Sequence, residues 1–420
     1  MHRFKLVFGS LLLVLILFVF SAATIDTKVE EVSPEEFQQR MAMQKEAKIY
    51  ASRKRALEEA VKQYFNKAIA SGEIVGAGVS IVKGDSIILS EGYGKRNNQK
   101  GTRIDGETVF RLGSLSKGFT GVLAAKLVEE SAFDFMDKVT DYLPEFVFGD
   151  STNTQNIKIA HLLSHTSGTP YHSYTNLVEA GLAMDKIAGQ FREVQPQSPP
   201  GIQYSYQNAM FALSQEIMLR ATGENINSLL IDRFFKPLGM SGTTMDHASF
   251  LENNNIAEPH VKHGNGWRTL PLKDNYYNAV AAGGIDASVH DMGKWIRFLL
   301  GHNPDVMHGS SLNKAFKPFI QLNENNKYYQ RWEGHLKSSY AFGWRVHEIK
   351  NPSTGAVETI YHHGGSVNSY RNEIALFPDA DLGICVLMNN HSGLAKNVIP
   401  ELRALVKYIY ELSPDALASL

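Results

Sequence analysis

Cysteine is almost absent. The 420-residue chain has one, Cys385, which excludes an intrachain disulfide and a multi-cysteine zinc site. It stands in the apolar run Leu382 to Met388, where a free thiol is expected to be a small buried hydrophobe rather than a nucleophile. An excess of one charge is missing too. Forty-two Lys and Arg meet 43 Asp and Glu, a formal net charge of -1, so no basic surplus gathers phosphates and no nucleic-acid partner is expected. Glycine (34) and proline (15) are too few for a collagen-like or low-complexity chain. No G-x-S-x-G elbow, H-E-x-x-H pair or Walker loop occurs, and no internal repeat is visible. What remains, 43% hydrophobic and 20% charged, excludes a disordered chain and leaves ample length for a core.

His2, Arg3 and Lys5 precede an uncharged run from Leu6 to Phe20, and Ser21-Ala22-Ala23 follows. This is the three-part pattern of a secretory signal. Residues 1–23 are therefore expected to be removed, leaving a periplasmic or secreted protein. Extended through Ile25, the run reaches about 20 residues, enough for a bilayer span. An uncleaved anchor is thus the alternative, and the one route to a membrane. No cysteine stands just after the run, so no bacterial lipoprotein site is expected.

Residues 24–54 read as a polar extension, with a helix start at Ser33-Pro34-Glu35-Glu36. A main domain is expected over 55–415. Leu57, Val61, Tyr64, Phe65, Ala68 and Ile69 form an apolar helical stripe. Gly76 to Lys83, Gly84-Asp85 and Ser86 to Gly92 read as a β-hairpin. Helical patterns dominate from about 115 to 300. Strands are expected at Ala341 to His347, Thr359 to His362, Tyr370 to Phe377 and Gly383 to Asn389, and a last helix from Val398 to Leu412. The fold class that follows is α/β (α+β): an antiparallel sheet from N- and C-terminal strands, flanking helices, and a mostly helical inserted region.

Chemistry concentrates in Phe110-Arg111-Leu112-Gly113-Ser114-Leu115-Ser116-Lys117. If Ser114 opens the helix that continues through Phe119, Leu123 and Leu127, Lys117 lies one turn on and on the same face. A serine hydroxyl needs a base, and a lysine serves as one only when burial or a helix dipole lowers its pKa. The backbone N–H of Ser114 would face a developing oxyanion. By itself S-x-x-K is a weak signal, and on that piece alone a plain helix N-cap at Ser114 is the favoured reading. His161 and His165 have metal-like spacing but no third ligand at motif spacing, and no cofactor or metal is implied.

Further segments accompany it in order: Leu162-Leu163-Ser164-His165-Thr166-Ser167-Gly168, Tyr206-Gln207-Asn208, Pro237-Leu238-Gly239-Met240, Ala282-Gly283-Gly284 with Asp291, and His363-Gly364-Gly365-Ser366. The ordered S-x-x-K, Y-x-N and H-x-G set resembles the serine β-lactamase and penicillin-binding-protein superfamily, nearest its class C branch with its esterases and D-amino-acid peptidases, over about residues 55–410. The resemblance implies an antiparallel sheet with helices on both faces, an all-helical region, and a cleft between them. It implies Ser114 as nucleophile, Lys117 as proton acceptor, and Tyr206 as proton carrier to the leaving group and from water. It further implies Asn208 holding Lys117 and substrate, His363 and Gly365 as the K/H-x-G element, and Ser366 as donor of the second oxyanion N–H. The substrate would be a small ester, a D-amino-acid peptide or amide, or a β-lactam, in that order. A non-catalytic module holding cell-wall peptide or a partner protein is the alternative.

This chain departs from the pattern at several places. Gln207 replaces the usual small residue and is expected to narrow or reorient the pocket. Tyr204 competes with Tyr206 for the tyrosine role, though spacing to Asn208 favours Tyr206. Asn368-Ser369 replaces the common Pro-Gly. His363 replaces lysine; mostly neutral at pH 7, it favours uncharged substrates, although Arg371 lies nearby. A core histidine under the sheet is its structural alternative.

Overall fold

The computed structural model describes residues 33–323, 326–352 and 354–418; the expected signal segment lies outside them. The chain divides into two compact units, Met1–Ser52 and Arg53–Leu420. In the first, Ser33 and Glu36 exchange backbone-to-side-chain hydrogen bonds (3.2 and 2.9 Å), a capping box. It opens helix α1, Pro34–Ala70. The expected helix start and the apolar stripe beyond residue 55 thus belong to one helix. Among the described residues no helix is long and apolar enough to cross a membrane.

In the second unit, Leu57, Val61 and Phe65 of α1 are buried, with Phe65 stacked on Tyr93 at 5.1 Å. An eight-stranded antiparallel sheet has the order β2-β1-β12-β11-β10-β9-β8-β7. Its members are β1 (Gly76–Lys83), β2 (Ser86–Gly94), β7 (Ile320–Gln321), β8 (His335–Tyr340), β9 (Arg345–Lys350), β10 (Val357–Val367), β11 (Tyr370–Phe377) and β12 (Leu382–Met388). β1 pairs directly with β12, Val79 opposite Val386, so strands from the two ends of the chain close the sheet, as the sequence pattern predicts. β12 is buried at every position because both faces of the sheet are covered. Cys385 and Leu387 join the large apolar cluster with Ile296 and Trp295, and the alternate residues point to the other face. Burial pushes the Cys385 thiol pKa up.

The helices that frame the site are α2 (Ser116–Glu129), α3 (Asn208–Thr222), α4 (Val289–Leu299) and α5 (Val398–Glu411). α4 packs on β1, β2 and β12, and α5 on β11 and β12. The pattern differs from the expectation at Ala341–His347. Those residues are not one strand: Ala341 N–H bonds Trp344 O (2.8 Å) in the turn joining β8 to β9. Four further short strands carried too few residues for a period-two signal, β3 (Val109–Arg111) paired with β6 (Asp286–Ser288), and β4 (His260–His263) in a hairpin with β5 (Gly266–Thr269).

Candidate active site

β3 leads straight into a single 3₁₀ turn, Gly113–Leu115, before α2 begins at Ser116. Ser114 therefore sits ahead of the helix, not at its cap, and Lys117 is in the helix's first turn. Gly113 has φ +57°, a conformation that favours glycine. A Cβ there would also lie 2.9 Å from the Ser366 backbone. Gly365 is the second close approach: a Cβ on it would meet Leu112 O at 2.2 Å. These glycines let the backbones of β10 and the Ser114 turn touch. Asn372 on β11 locks the contact by donating to the carbonyls of Arg111 (2.9 Å) and Leu112 (3.1 Å).

Ser114, Lys117, Tyr206 and Asn208 meet at one point. Tyr206 hydroxyl donates to Ser114 Oγ at 2.9 Å. Lys117 Nζ lies 3.2 Å from Ser114 Oγ, 2.8 Å from Asn208 Oδ1 and 2.7 Å from Ala282 O. Asn208, the first residue of α3, has its amide orientation set by its Nδ2, which donates to Tyr276 hydroxyl at 3.1 Å. Lys117 is fully buried, and among the described residues no carboxylate pairs with it. Burial, reinforced by the Arg345 guanidinium, holds its pKa well below the usual lysine value. A neutral amine has two N–H groups and one lone pair. The oxygens of Asn208 and Ala282 only accept here, so they take the two hydrogens. The lone pair is left for the Ser114 hydroxyl. Tyr206 is shifted the other way: burial raises its pKa against the opposing pull of Ser114 and Arg345, which keeps it a proton donor.

Ser366 has its backbone against Gly113, as its place after Gly365 requires, and its side chain is exposed. His363 is brought near Lys117 but is occupied. Its Nδ1 faces Gly364 O at 2.8 Å and its Nε2 faces Tyr340 hydroxyl at 3.0 Å. A carbonyl only accepts, so Nδ1 carries the hydrogen and Nε2 accepts from Tyr340. Burial, then Arg345 and Lys117, push its pKa well down, and the imidazole is neutral. Tyr204 packs edge-on against His165 (5.9 Å between ring centroids), while Tyr206 lies over the same ring at 4.2 Å.

Gln207 does not narrow the pocket. It is fully buried; its Nε2 donates to Pro170 O (2.7 Å) and its backbone N–H to His165 Nδ1 (3.1 Å). The bulk is spent bracing the 165–170 loop. His161 Nδ1 accepts from Lys158 N–H at 3.1 Å, so the two histidines of the i, i+4 pair serve separate backbone groups. Asn368 and Ser369, both at positive φ (46° and 70°), form the two-residue hairpin turn between β10 and β11 in place of Pro-Gly. Positive φ at both central positions is the type I′ geometry that matches strand twist.

Behind Ser114 lies an ion pair with no signal in the sequence pattern. Arg111 Nε and Asp286 Oδ1 are 3.3 Å apart, and both side chains are fully buried. Arg111 also donates to Lys273 O (2.8 Å), Asn275 O (2.6 Å) and Asn275 Oδ1 (3.0 Å), and Tyr277 hydroxyl donates to Asp286 Oδ2 at 2.7 Å. Burial pushes the Asp286 carboxyl up to about 7, with Arg111 opposing. The pair staples β3 to β6, three residues before Ser114.

Beside Tyr206 opens a cavity of about 150 Å³, walled by Tyr204, Tyr328, Tyr329, Arg345 and Arg371, with Gly364 between. Arg345 and Ala282 O are the components hardest to find from sequence. A backbone carbonyl leaves no residue-type signature, and Arg345 stands in a stretch read as an unbroken strand.

The Beta-lactamase family model matches residues 57–406. Among curated proteins, this chain is similar to Protein flp of Staphylococcus aureus (strain MRSA252), 24% identical over 345 residues, covering 80% of this chain and 64% of that protein. It is also similar to Unguisins hydrolase ungD' of Aspergillus campestris, 25% identical over 350 residues, 81% of this chain and 62% of that one. The chain thus spans less than two thirds of the length of these relatives. Two solved structures share its fold at TM-score 0.70. One is the octameric penicillin-binding protein homologue from Pyrococcus abyssi (21% identity, 82% of this chain, 77% of that one). The other is EstCE1, a hydrolase with promiscuous acyltransferase activity (18% identity, 84% of this chain, 99% of that one).

Proposed function

We propose, because the chain belongs to the Beta-lactamase family, that it is a serine hydrolase working through an acyl-enzyme on Ser114. The observation that carries this is the bonding of Lys117. Both hydrogens of its neutral form are taken by carbonyl oxygens, leaving the lone pair on the Ser114 hydroxyl. Ser114 Oγ attacks the substrate carbonyl carbon while its proton passes to Lys117 Nζ. The oxyanion is held by the backbone N–H groups of Ser114 and Ser366, each such donor contributing about 2.7–4 kcal/mol to the transition state. Tyr206 then protonates the departing alcohol or amine. Water attacks the acyl carbon in turn, gives its proton back through Tyr206 and Lys117, and frees Ser114 and a carboxylic acid.

The substrate class is a small ester or amide, with esters first. His363, neutral and bonded to Tyr340, supplies no fixed charge where lysine would. The features behind a binding-only reading, Gln207 and the Asn368-Ser369 turn, are engaged away from Ser114 and leave its surroundings intact. A fluorophosphonate probe on the full chain is expected to add to the Ser114 peptide, read by mass spectrometry, and not to a Ser114→Ala protein. A folded wild-type chain with no adduct, or one labelled equally after the alanine change, would refute the reading.

Export rests on residues 1–23. A mature protein beginning at Thr24 is the expected result of N-terminal sequencing, and a chain recovered from outside the cytoplasm with Met1 retained would show the anchor instead.

A further inference from the structure

Three histidines stand in the sheet near the cavity beside Tyr206, and the acyl-transfer chemistry leaves them unused. His335 on β8, His347 on β9 and His362 on β10 join Ser338 and Glu373 in one hydrogen-bonded row. The contacts run His335 Nε2 to Ser338 Oγ (2.7 Å), Ser338 Oγ to His347 Nδ1 (2.8 Å), His347 Nε2 to His362 Nδ1 (3.2 Å) and His362 Nε2 to Glu373 Oε2 (2.8 Å). All but His335 are buried. His335 is partly exposed and lines an open cleft of about 490 Å³ at the sheet edge, with Gln321 and Lys337. At the inner end, Tyr328 hydroxyl donates to Glu373 Oε2 at 2.8 Å, and Arg371 stands 2.6 Å from Oε1. Tyr328 and Arg371 also wall the cavity beside Tyr206. Gly364, next to His363, lets the pair close in: a Cβ there would lie 3.0 Å from both Glu373 Oε2 and Tyr328 hydroxyl. Apolar residues would fill the same interior with less desolvation cost, so a buried polar row that joins two solvent faces calls for a use.

The directions of the bonds follow from the inner end. An ionised carboxylate only accepts, so His362 Nε2 carries a hydrogen and its Nδ1 accepts from His347 Nε2. His347 Nδ1 then accepts from the Ser338 hydroxyl, whose oxygen accepts from His335 Nε2. Every donor points toward Glu373, and His335 Nδ1 keeps a lone pair at the surface end. We propose that this row is a proton wire through which solvent at the sheet edge sets the charge of Glu373 beside the catalytic cavity. A proton binds His335 Nδ1, and the Nε2 hydrogen passes to Ser338 Oγ. The Ser338 hydrogen passes to His347 Nδ1, the His347 Nε2 hydrogen to His362 Nδ1, and the His362 Nε2 hydrogen to Glu373 Oε2. One proton enters, one carboxylate becomes a carboxylic acid, and each imidazole ends neutral with its tautomer exchanged. Burial above all holds His347 and His362 well below the usual histidine value, so neither ring stores the charge. The groups facing Glu373 are Arg371 on its own strand, His362 on β10, Arg345 on β9, Tyr328 from the turn before β8 and Cys385 on β12; His391 faces Arg371. Burial pushes the Glu373 carboxyl up to about 7, against Arg371, Tyr328 and Arg345. Once it is protonated, the Arg371 charge on the cavity wall loses its counter-ion.

The wire stands whether or not Ser114 forms an acyl-enzyme, and its test needs no turnover. Neutron diffraction from the full chain at about pD 5.5 and about pD 8.5 brackets the Glu373 carboxyl. At the higher value the ring hydrogens of His347 and His362 are expected on Nε2. At the lower value they are expected on Nδ1, with a hydrogen on Glu373. Doubly protonated rings at His347 or His362, or the same tautomers at both values, overturn the inference. The route is tested by infrared spectroscopy after a pH jump, following the carboxylic acid band that Glu373→Gln removes. Ser338→Ala, which takes out the hydroxyl link, is expected to slow the appearance of that band about 100-fold, and Ser338→Thr to restore it. A band that appears equally fast in Ser338→Ala means that protons reach Glu373 through the cavity, and overturns the wire. Should Glu373→Gln fail to fold, the hydrogens seen by neutrons in the unaltered chain still decide.

Discussion

A full-length Lys117→Arg protein is expected to lose about a hundred- to ten-thousand-fold in kcat toward a neutral ester. Arginine keeps hydrogen-bond donors toward Asn208 and Ala282, but it puts a fixed positive charge where the neutral amine stood and has no lone pair for Ser114. A loss of less than tenfold would mean that another group takes the serine proton. The pH profile is the companion measurement. Burial holds Lys117 well below the ordinary lysine value, and the proposed acyl-enzyme mechanism uses the unprotonated amine. The wild-type kcat/KM should therefore rise with pH through the Lys117 pKa and fall on the acid side. The fold feels the same group with the same sign. The unfolded chain keeps the proton up to about pH 10.4 and the folded chain releases it, so this group's contribution to stability rises with pH. Lys117→Met removes that slope, which urea titrations at several pH values would register.

Arg111→Met is expected to cost about 3–5 kcal/mol of unfolding free energy, the largest stability loss of any single change considered. It leaves Asp286 buried without its cation and removes three further bonds, to Lys273 and Asn275. The loss has a direction in pH. The Asp286 carboxyl, already pushed up to about 7, rises further without Arg111. A raised folded pKa favours the protonated folded state, so stability is present below the unfolded value and declines as pH rises through the folded one. The variant should fall further below wild type as pH increases from about 5 to about 8. A variant as stable as the parent across that range would show the pair to be dispensable. Because β3 runs directly into the Ser114 turn, the surviving folded fraction is also expected to turn over ester more slowly.

The expected strand at Ala341–His347 and the observed Ala341–Trp344 turn show where pattern reading ends. Tyr340, Ala341, Phe342 and Trp344 are all buried, so apolar periodicity runs on across the turn and hides it. Gln207 shows the complementary limit. Its size was visible in the sequence, but its direction was decided by Pro170 and His165, and it points away from the cavity. His363 lay between two readings, and the structure combines them: a buried histidine under Tyr340 that nonetheless stands within the field of Lys117.

The amino-acid sequence alone determined the local pieces of this protein. The Gly76–Gly92 hairpin, the α1 and α5 stripes, and a serine one helical turn from a lysine all follow from periods of two and 3.6 residues and from turn chemistry. Only the tertiary structure decided what those pieces can do. The lone pair of Lys117 faces Ser114 because Asn208 and Ala282, 91 and 165 residues away in the chain, take its hydrogens, and its pKa is lowered by burial and by Arg345. The buried ion pair behind Ser114 likewise joins Arg111 to Asp286, 175 residues away. Protonation and desolvation are set by neighbours in space, and a one-dimensional pattern does not contain them.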